Sequence, residues 1–237
     1  MLSARRPEST VRPAWRRGPV VRGLSLVELM VGLVVSMIVV GGAISMMVRM
    51  QTTTWRLLHE TRLNQDLRAA ADVVARDLRR GGFWGNAIQG TQAVGVGSTV
   101  TQNPYAALSN NSTDGVFYRF SRDVTENNTL DHAERFGFRR YGGVLQMQTA
   151  VDVWQDLTDD KNLRMTALTI TPTEIPLPLG SICSKPCAAG TPNCPVSTVR
   201  SLAVTLTGQS VRDSTMVRSI NLTVRMRNDE SAGKCPT

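Results

Sequence analysis

The sequence predicts an α+β fold: one long N-terminal α-helix, membrane-spanning in its first half, packed against an antiparallel β-sheet. Three observations predict it. Residues 24–48 form an apolar run holding a single ionisable side chain, Glu28. Residues 49–80 continue with neither proline nor glycine and carry apolar residues at helical spacing. Toward the end of the chain, apolar and polar residues alternate with the period of a strand.

The apolar run reads LSLVELMVGLVVSMIVVGGAISMMV, 25 residues. At 1.5 Å rise per residue it spans about 37 Å, enough for a hydrocarbon core of about 30 Å. It is too long for the apolar region of an ordinary secretory signal, and it lacks a good small-residue cleavage site. The formal net charge of the 237-residue chain is +8, which alone suggests a nucleic-acid partner. The distribution argues otherwise. Six arginines (Arg5, Arg6, Arg12, Arg16, Arg17, Arg22) face one acid, Glu8, before the apolar run, so +5 of the excess lies there. That is a topology signal: residues 1–22 are expected in the cytoplasm and everything beyond Arg49 outside.

Beyond the membrane, Leu63, Leu67, Ala70, Val74 and Leu78 step by 4, 3, 4 and 4 along one helical face. The opposite face places Arg62 with Asp66, Arg68 with Asp72, and Asp72 with Arg76 at i, i+4. Gly81–Gly82 stops the helix, which is expected from about Leu24 to Arg80. Residues 86–115, rich in Asn, Gly, Ser and Thr, read as a long surface loop. Strands are expected at 116–120, 135–141, 144–148, 163–170, 199–207 and 217–226, with a tight turn at Gly142–Gly143 and a hairpin connection over 208–214. Residues 171–195, rich in proline and cysteine, are expected to be neither helix nor sheet.

The four cysteines, Cys183, Cys187, Cys194 and Cys235, all follow the apolar run. Their spacing is not that of paired zinc-ligand motifs, and the two histidines, His59 and His132, lie far from them in sequence. Two disulfides in an oxidising compartment are the better reading. Three pairings are open, and one bridge is expected to tie the tail at Cys235 to the loop. No catalytic motif, metal site or cofactor site is expected. Asp156, Asp159 and Asp160 lack the spacing of a calcium loop and read as turn acids. Arg135, Arg139 and Arg140, interleaved with Phe136, Phe138 and Tyr141, read as strand arginines over a buried aromatic face, so nucleic acid is not the expected partner.

One stretch carries more. RGLSLVELMVGLVVSMIVV (22–40) resembles the N-terminal signature of type IV prepilins. The resemblance implies a leader, residues 1–23, cut after Gly23 by a prepilin peptidase, and N-methylation of the new terminus, Leu24. It also implies that Glu28, five residues into the mature chain, pairs with the amine of an adjacent subunit and sets the register of docking. Two features depart from the pattern: the mature chain begins with Leu24 where phenylalanine is commonest, and no proline interrupts the run. Gly41–Gly42 stands in the matching region and is expected to unwind in a filament, since interior glycine costs a helix about 1 kcal/mol relative to alanine.

A narrower resemblance follows. The end of the helix, VVARDLRRGGFWGN (73–86), is similar to that of PilW-type minor pilins, through Arg76, Asp77, Leu78, Arg79, Gly82, Phe83, Trp84 and Gly85. The J-type pseudopilins of type II secretion have a looser version. Phe83 and Trp84 are expected to pack under the first strands. The resemblance implies a pilin-like fold in four parts: leader 1–23, filament-core helix 24–48, amphipathic helix 49–82, and a periplasmic β-rich domain 83–237. It implies a single-pass inner-membrane protein before assembly. Its implied role is a minor pilin that primes a type IV pilus at the tip and supports adhesion and twitching motility. Implied partners are other minor pilins, the major pilin, the prepilin peptidase and a tip adhesin. Alternatives are a J-type minor pseudopilin, a DNA-uptake pilus subunit, and a single-pass anchored binding protein whose leader stays uncut.

Overall fold

The computed structural model describes residues 23–90, 101–111, 115–188 and 194–236. Residues 1–22 of the leader and parts of the two expected loops therefore lie outside the described residues. One helix, α1, runs without a break from Leu26 to Leu78. The chain divides into two compact units, with the boundary between Thr53 and Thr54 inside that helix.

In the first unit α1 is apolar on every side. From Leu26 to Thr53 each of its residues is exposed. The helix is long and apolar enough to cross a membrane. Uniform apolarity has a consequence. Such a helix has no distinct face to bury against its own domain, and needs an apolar surrounding instead.

In the second unit the stripe read from the sequence is buried. Leu67, Val74 and Leu78 are fully inaccessible, and Leu63 and Ala70 nearly so. Among the described residues the expected i, i+4 ion pairs do not close, in keeping with the small gain from ordering exposed long side chains. The ion pair that ties the helix to a strand is instead Glu60–Arg218.

Two antiparallel sheets cover the stripe, where one was expected. The first has strands β1 (Ser109–Asn111), β2 (Gly115–Arg119), β3 (Arg135–Tyr141), β4 (Val144–Ala150) and β5 (Val153–Asp156), in sequence order. The second has β6 (Leu163–Pro178), β7 (Val196–Ser210) and β8 (Val217–Arg225), with β9 (Glu230–Ala232) beside the start of β7. The break falls at the turn after β5. There the Asp159 carbonyl takes the N–H groups of Asn162 and Leu163, and its carboxylate takes that of Lys161. This turn redirects the chain, so β6 pairs with β7 rather than with β5. Both sheets send residues into one core with α1: Val116, Tyr118, Phe136, Phe138 and Leu145 from the first, and Leu168, Ile170, Leu202, Val204, Leu206 and Val224 from the second.

The β3–β4 connection is the tight turn expected. Gly142 and Gly143 have φ of +62° and +86°, which a two-residue hairpin of the primed type requires. Two loop expectations are corrected. Residues 171–178, expected to be irregular, continue β6. Pro172, Pro176 and Pro178 share one parity, so their nitrogens face one side of the strand, and β6 is the edge of its sheet. A proline there forfeits no ladder bond and blunts the edge against pairing with another chain. The stretch 86–115 is not all surface either, because Tyr105 is completely buried and Ser109–Asn111 is a strand.

Candidate functional site: the N-terminal helix and its anchored end

Gly23 and Leu24 precede the helix in irregular, exposed chain, and Leu24 is 75% exposed. Among the described residues a Cβ added at Gly23 would meet nothing within 4 Å. Glu28 lies in the first turn of α1 and is exposed. Its charge suits the positive end of the helix dipole. Gly41 and Gly42 lie within unbroken helix in this single subunit. The Ser45 hydroxyl donates to both of their carbonyls, at 3.0 and 2.9 Å. Such back-bonding gives those carbonyls a second donor and tends to bend helices.

At its other end α1 is tied down by the residues that carry the narrower resemblance. Asp77 is buried and accepts a 2.9 Å bond from the Tyr118 hydroxyl. Burial, then the adjacent Asp77 carboxylate, pushes the Tyr118 hydroxyl well above its ordinary pKa. Arg80 reaches the other Asp77 oxygen at 3.5 Å and stacks on Phe120 at 4.2 Å. Gly82 turns the chain with φ +76°, and its N–H donates to the Arg119 carbonyl. Trp84 is buried and donates to the Asn128 side chain at 2.8 Å. Phe83, expected beside it under the strands, is instead 48% exposed.

Two groups the sequence did not single out complete this anchor. Glu126 accepts bonds from the Gly85 and Asn128 N–H groups and the Tyr105 hydroxyl, each at 2.9 Å. Burial pushes its pKa up, but these bonds and one from Ser121 outweigh it and hold the carboxyl below its ordinary value. Arg200 is 2% exposed and binds the carbonyls of Ala106 and Asn228 and the Glu230 carboxylate. It shares the inward parity of Leu202, Val204 and Leu206, and that parity is the signal that leads to it.

The cysteines form two bridges, Cys183–Cys235 and Cys187–Cys194. The first ties the chain end to the loop after β6. The Asp159 carboxylate caps its own turn, and Asp156 accepts from Gln146. The Arg139 guanidinium lies over the Trp154 ring at 3.8 Å, while Phe136 and Phe138 are buried.

The family model described as prepilin peptidase-dependent protein B matches residues 56–226, more than two thirds of the chain. The chain belongs to this family. No curated protein and no solved structure matches it. The match to prepilin peptidase-dependent protein B begins after the apolar run. It therefore rests on the anchored helix and the sheets, whereas the prepilin resemblance rests on residues 22–40. Two separate parts of the chain point to one pilin-related class.

Proposed function

We propose that this chain is a minor pilin of a type IV pilus, with a structural rather than catalytic role. A prepilin peptidase cuts after Gly23, Leu24 is N-methylated, and the leader side stays cytoplasmic while the sheet domain lies in the periplasm. The subunit then enters the filament through the first half of α1, primes assembly with other minor pilins at the tip, and supports adhesion and twitching.

The observation that carries this reading is the exposed apolar half of α1 behind the Gly23–Leu24–Glu28 pattern. That surface finds its apolar surrounding first in the bilayer and then in a bundle of like helices. Within either, an unpaired carboxylate costs roughly 2.5–3.5 kcal/mol. Pairing Glu28 with the Leu24 amine of a neighbour offsets the cost and rewards one axial register only. The anchored end of α1 fixes the sheet domain to the emerging helix, so partner choice rests with the domain surface.

The test is deletion of the gene, scoring surface pili and twitching alongside secretion of an exported enzyme. Lost pili with secretion intact is the expected result. Lost secretion with normal pili would assign the chain to a type II secretion pseudopilus instead. Mass spectrometry of the protein from cells adds a second check: the mature chain should start at methylated Leu24, and an intact leader would sink the assembly reading.

A further inference from the structure

At the C-terminal end of α1 lies a pocket of about 440 Å³, lined chiefly by Arg79, Arg80, Phe83, Phe120 and Arg227. Its walls are fixed by backbone. The Arg227 N–H donates to the Arg79 carbonyl at 3.1 Å, and the Ser121 N–H to the Phe83 carbonyl at 2.9 Å. The Asn228 side chain donates to the carbonyls of Arg80 and Gly81. The Arg79, Arg80 and Gly81 carbonyls that follow the helix are thus satisfied without the guanidinium groups, which are not needed as caps.

Arg80 is engaged by Asp77 and Phe120. Arg79 and Arg227 are exposed and, among the described residues, their guanidiniums have no ion pair or side-chain hydrogen bond. Asp77 already holds both Tyr118 and Arg80, so it does not neutralise them. Phe83 leaves nearly half its surface in water on the wall of the same pocket, while the adjacent Trp84 is buried. Two free cations beside a free ring make a surface with an unmet complement.

We propose that this pocket docks an acidic segment of a partner subunit, in which carboxylates bracket one apolar side chain. The apolar side chain packs on Phe83, and the carboxylates pair with Arg79 and Arg227, whose planar forks suit bidentate carboxylate contacts. Single-stranded nucleic acid fits less well. It stacks successive bases on several rings, and Phe120, the other ring here, is 2% exposed. The inference rests on the assembly reading only for the source of the segment, and its test needs no filament.

The full chain in zwitterionic micelles is titrated into a fluorescein-labelled peptide, Glu-Asp-Leu-Asp-Glu, and into its Gln-Asn-Leu-Asn-Gln counterpart. The acidic peptide should bind at least about tenfold tighter, and the margin should shrink with salt. Arg79→Glu with Arg227→Glu should abolish the margin. Arg79→Gln with Arg227→Gln, which disturbs the exposed surface less, should reduce it. Phe83→Ala should weaken the leucine peptide severalfold, but not one with serine at its centre. Equal binding of the two peptides, no binding by either, or an unchanged margin in the arginine variants would each overturn the proposal. Tighter binding of a ten-nucleotide thymidine strand, lost in the same variants, would transfer the pocket to nucleic acid. Failure here leaves the leader cut and the pili untouched, so it is distinguishable from failure of the pilin reading.

Discussion

The first and second halves of α1 share one continuous backbone and differ in what covers them. Up to Thr53 every helical residue is exposed and most are apolar, whereas from Leu63 onward one face is buried and the exposed residues are mostly polar or charged. Helix formation is therefore not what separates them. The second half has a face, which specifies packing within the subunit. The first half has none, which leaves its position to a membrane or to other helices.

The sharpest way to break this contrast is to truncate one buried and one exposed aliphatic side chain on the same helix. Leu67→Ala should cost about 2–5 kcal/mol of the sheet domain's unfolding free energy, because Leu67 is fully enclosed by the core. Val35→Ala should change it by less than about 0.5 kcal/mol, since Val35 is exposed. Denaturant titration in micelles, followed by the fluorescence of buried Trp84, reads both. Equal losses would mean that the first half also packs on the domain.

Next in size is the tail bridge. Replacing Cys183 and Cys235 together with serine opens a link that spans 52 residues. The expected cost is about 2–4 kcal/mol in the same titration. The short Cys187–Cys194 bridge spans 7 residues and should matter less. A larger loss from the short bridge would show that the loop after β6, not the tail, stabilises the domain.

Smaller again is the helix stop. Gly82→Ala places a side chain where φ is +76° and within 2.8 Å of the buried Arg200 guanidinium. About 1–3 kcal/mol should be lost, from backbone strain and from displacing a cation that binds two carbonyls. The matching change in the first half, Gly41→Ala, meets open space. It should strengthen the helix by about 1 kcal/mol at most. If Gly41–Gly42 unwinds on assembly, Gly41→Ala with Gly42→Ala should also lower incorporation into filaments.

What the sequence disclosed follows the same divide between repeating patterns and single contacts. The stripe from Leu63 to Leu78, the stop at Gly81–Gly82 and the Gly142–Gly143 turn were legible because period and backbone geometry are written locally. The length of β6 was not, because prolines argue against a strand until it is known that they line a free edge. The second sheet depends on a turn around Asp159 that leaves no periodic mark. Arg200, Tyr105 and Glu126 were missed for one reason: each meets partners that lie distant in the chain. In the pilin-like reading, the features most legible from sequence, Gly23, Leu24 and Glu28, are exposed among the described residues of a single subunit.

The smallest expected effect concerns pH and the anchored end alone. Glu126 is held below the ordinary glutamate value of 4.5, because bonds from Ser121, Asn128, Tyr105 and Gly85 outweigh its burial. A depressed folded-state pKa contributes stability that is complete above the unfolded value and is lost as pH falls through the folded one. The domain should therefore weaken as pH falls below about 4.5, and only slightly from this group, because the carboxylate is only partly buried. Asp213, also held low by the Thr215 hydroxyl and N–H, slopes the same way, so the wild-type curve alone does not isolate Glu126. Glu126→Gln does. It should flatten part of the acid limb while leaving the Asp213 share in place. Glu28→Gln, in the first half of α1, should alter assembly instead. An acid limb left unchanged by Glu126→Gln would show that the bonds to this carboxylate do not stabilise the anchored end.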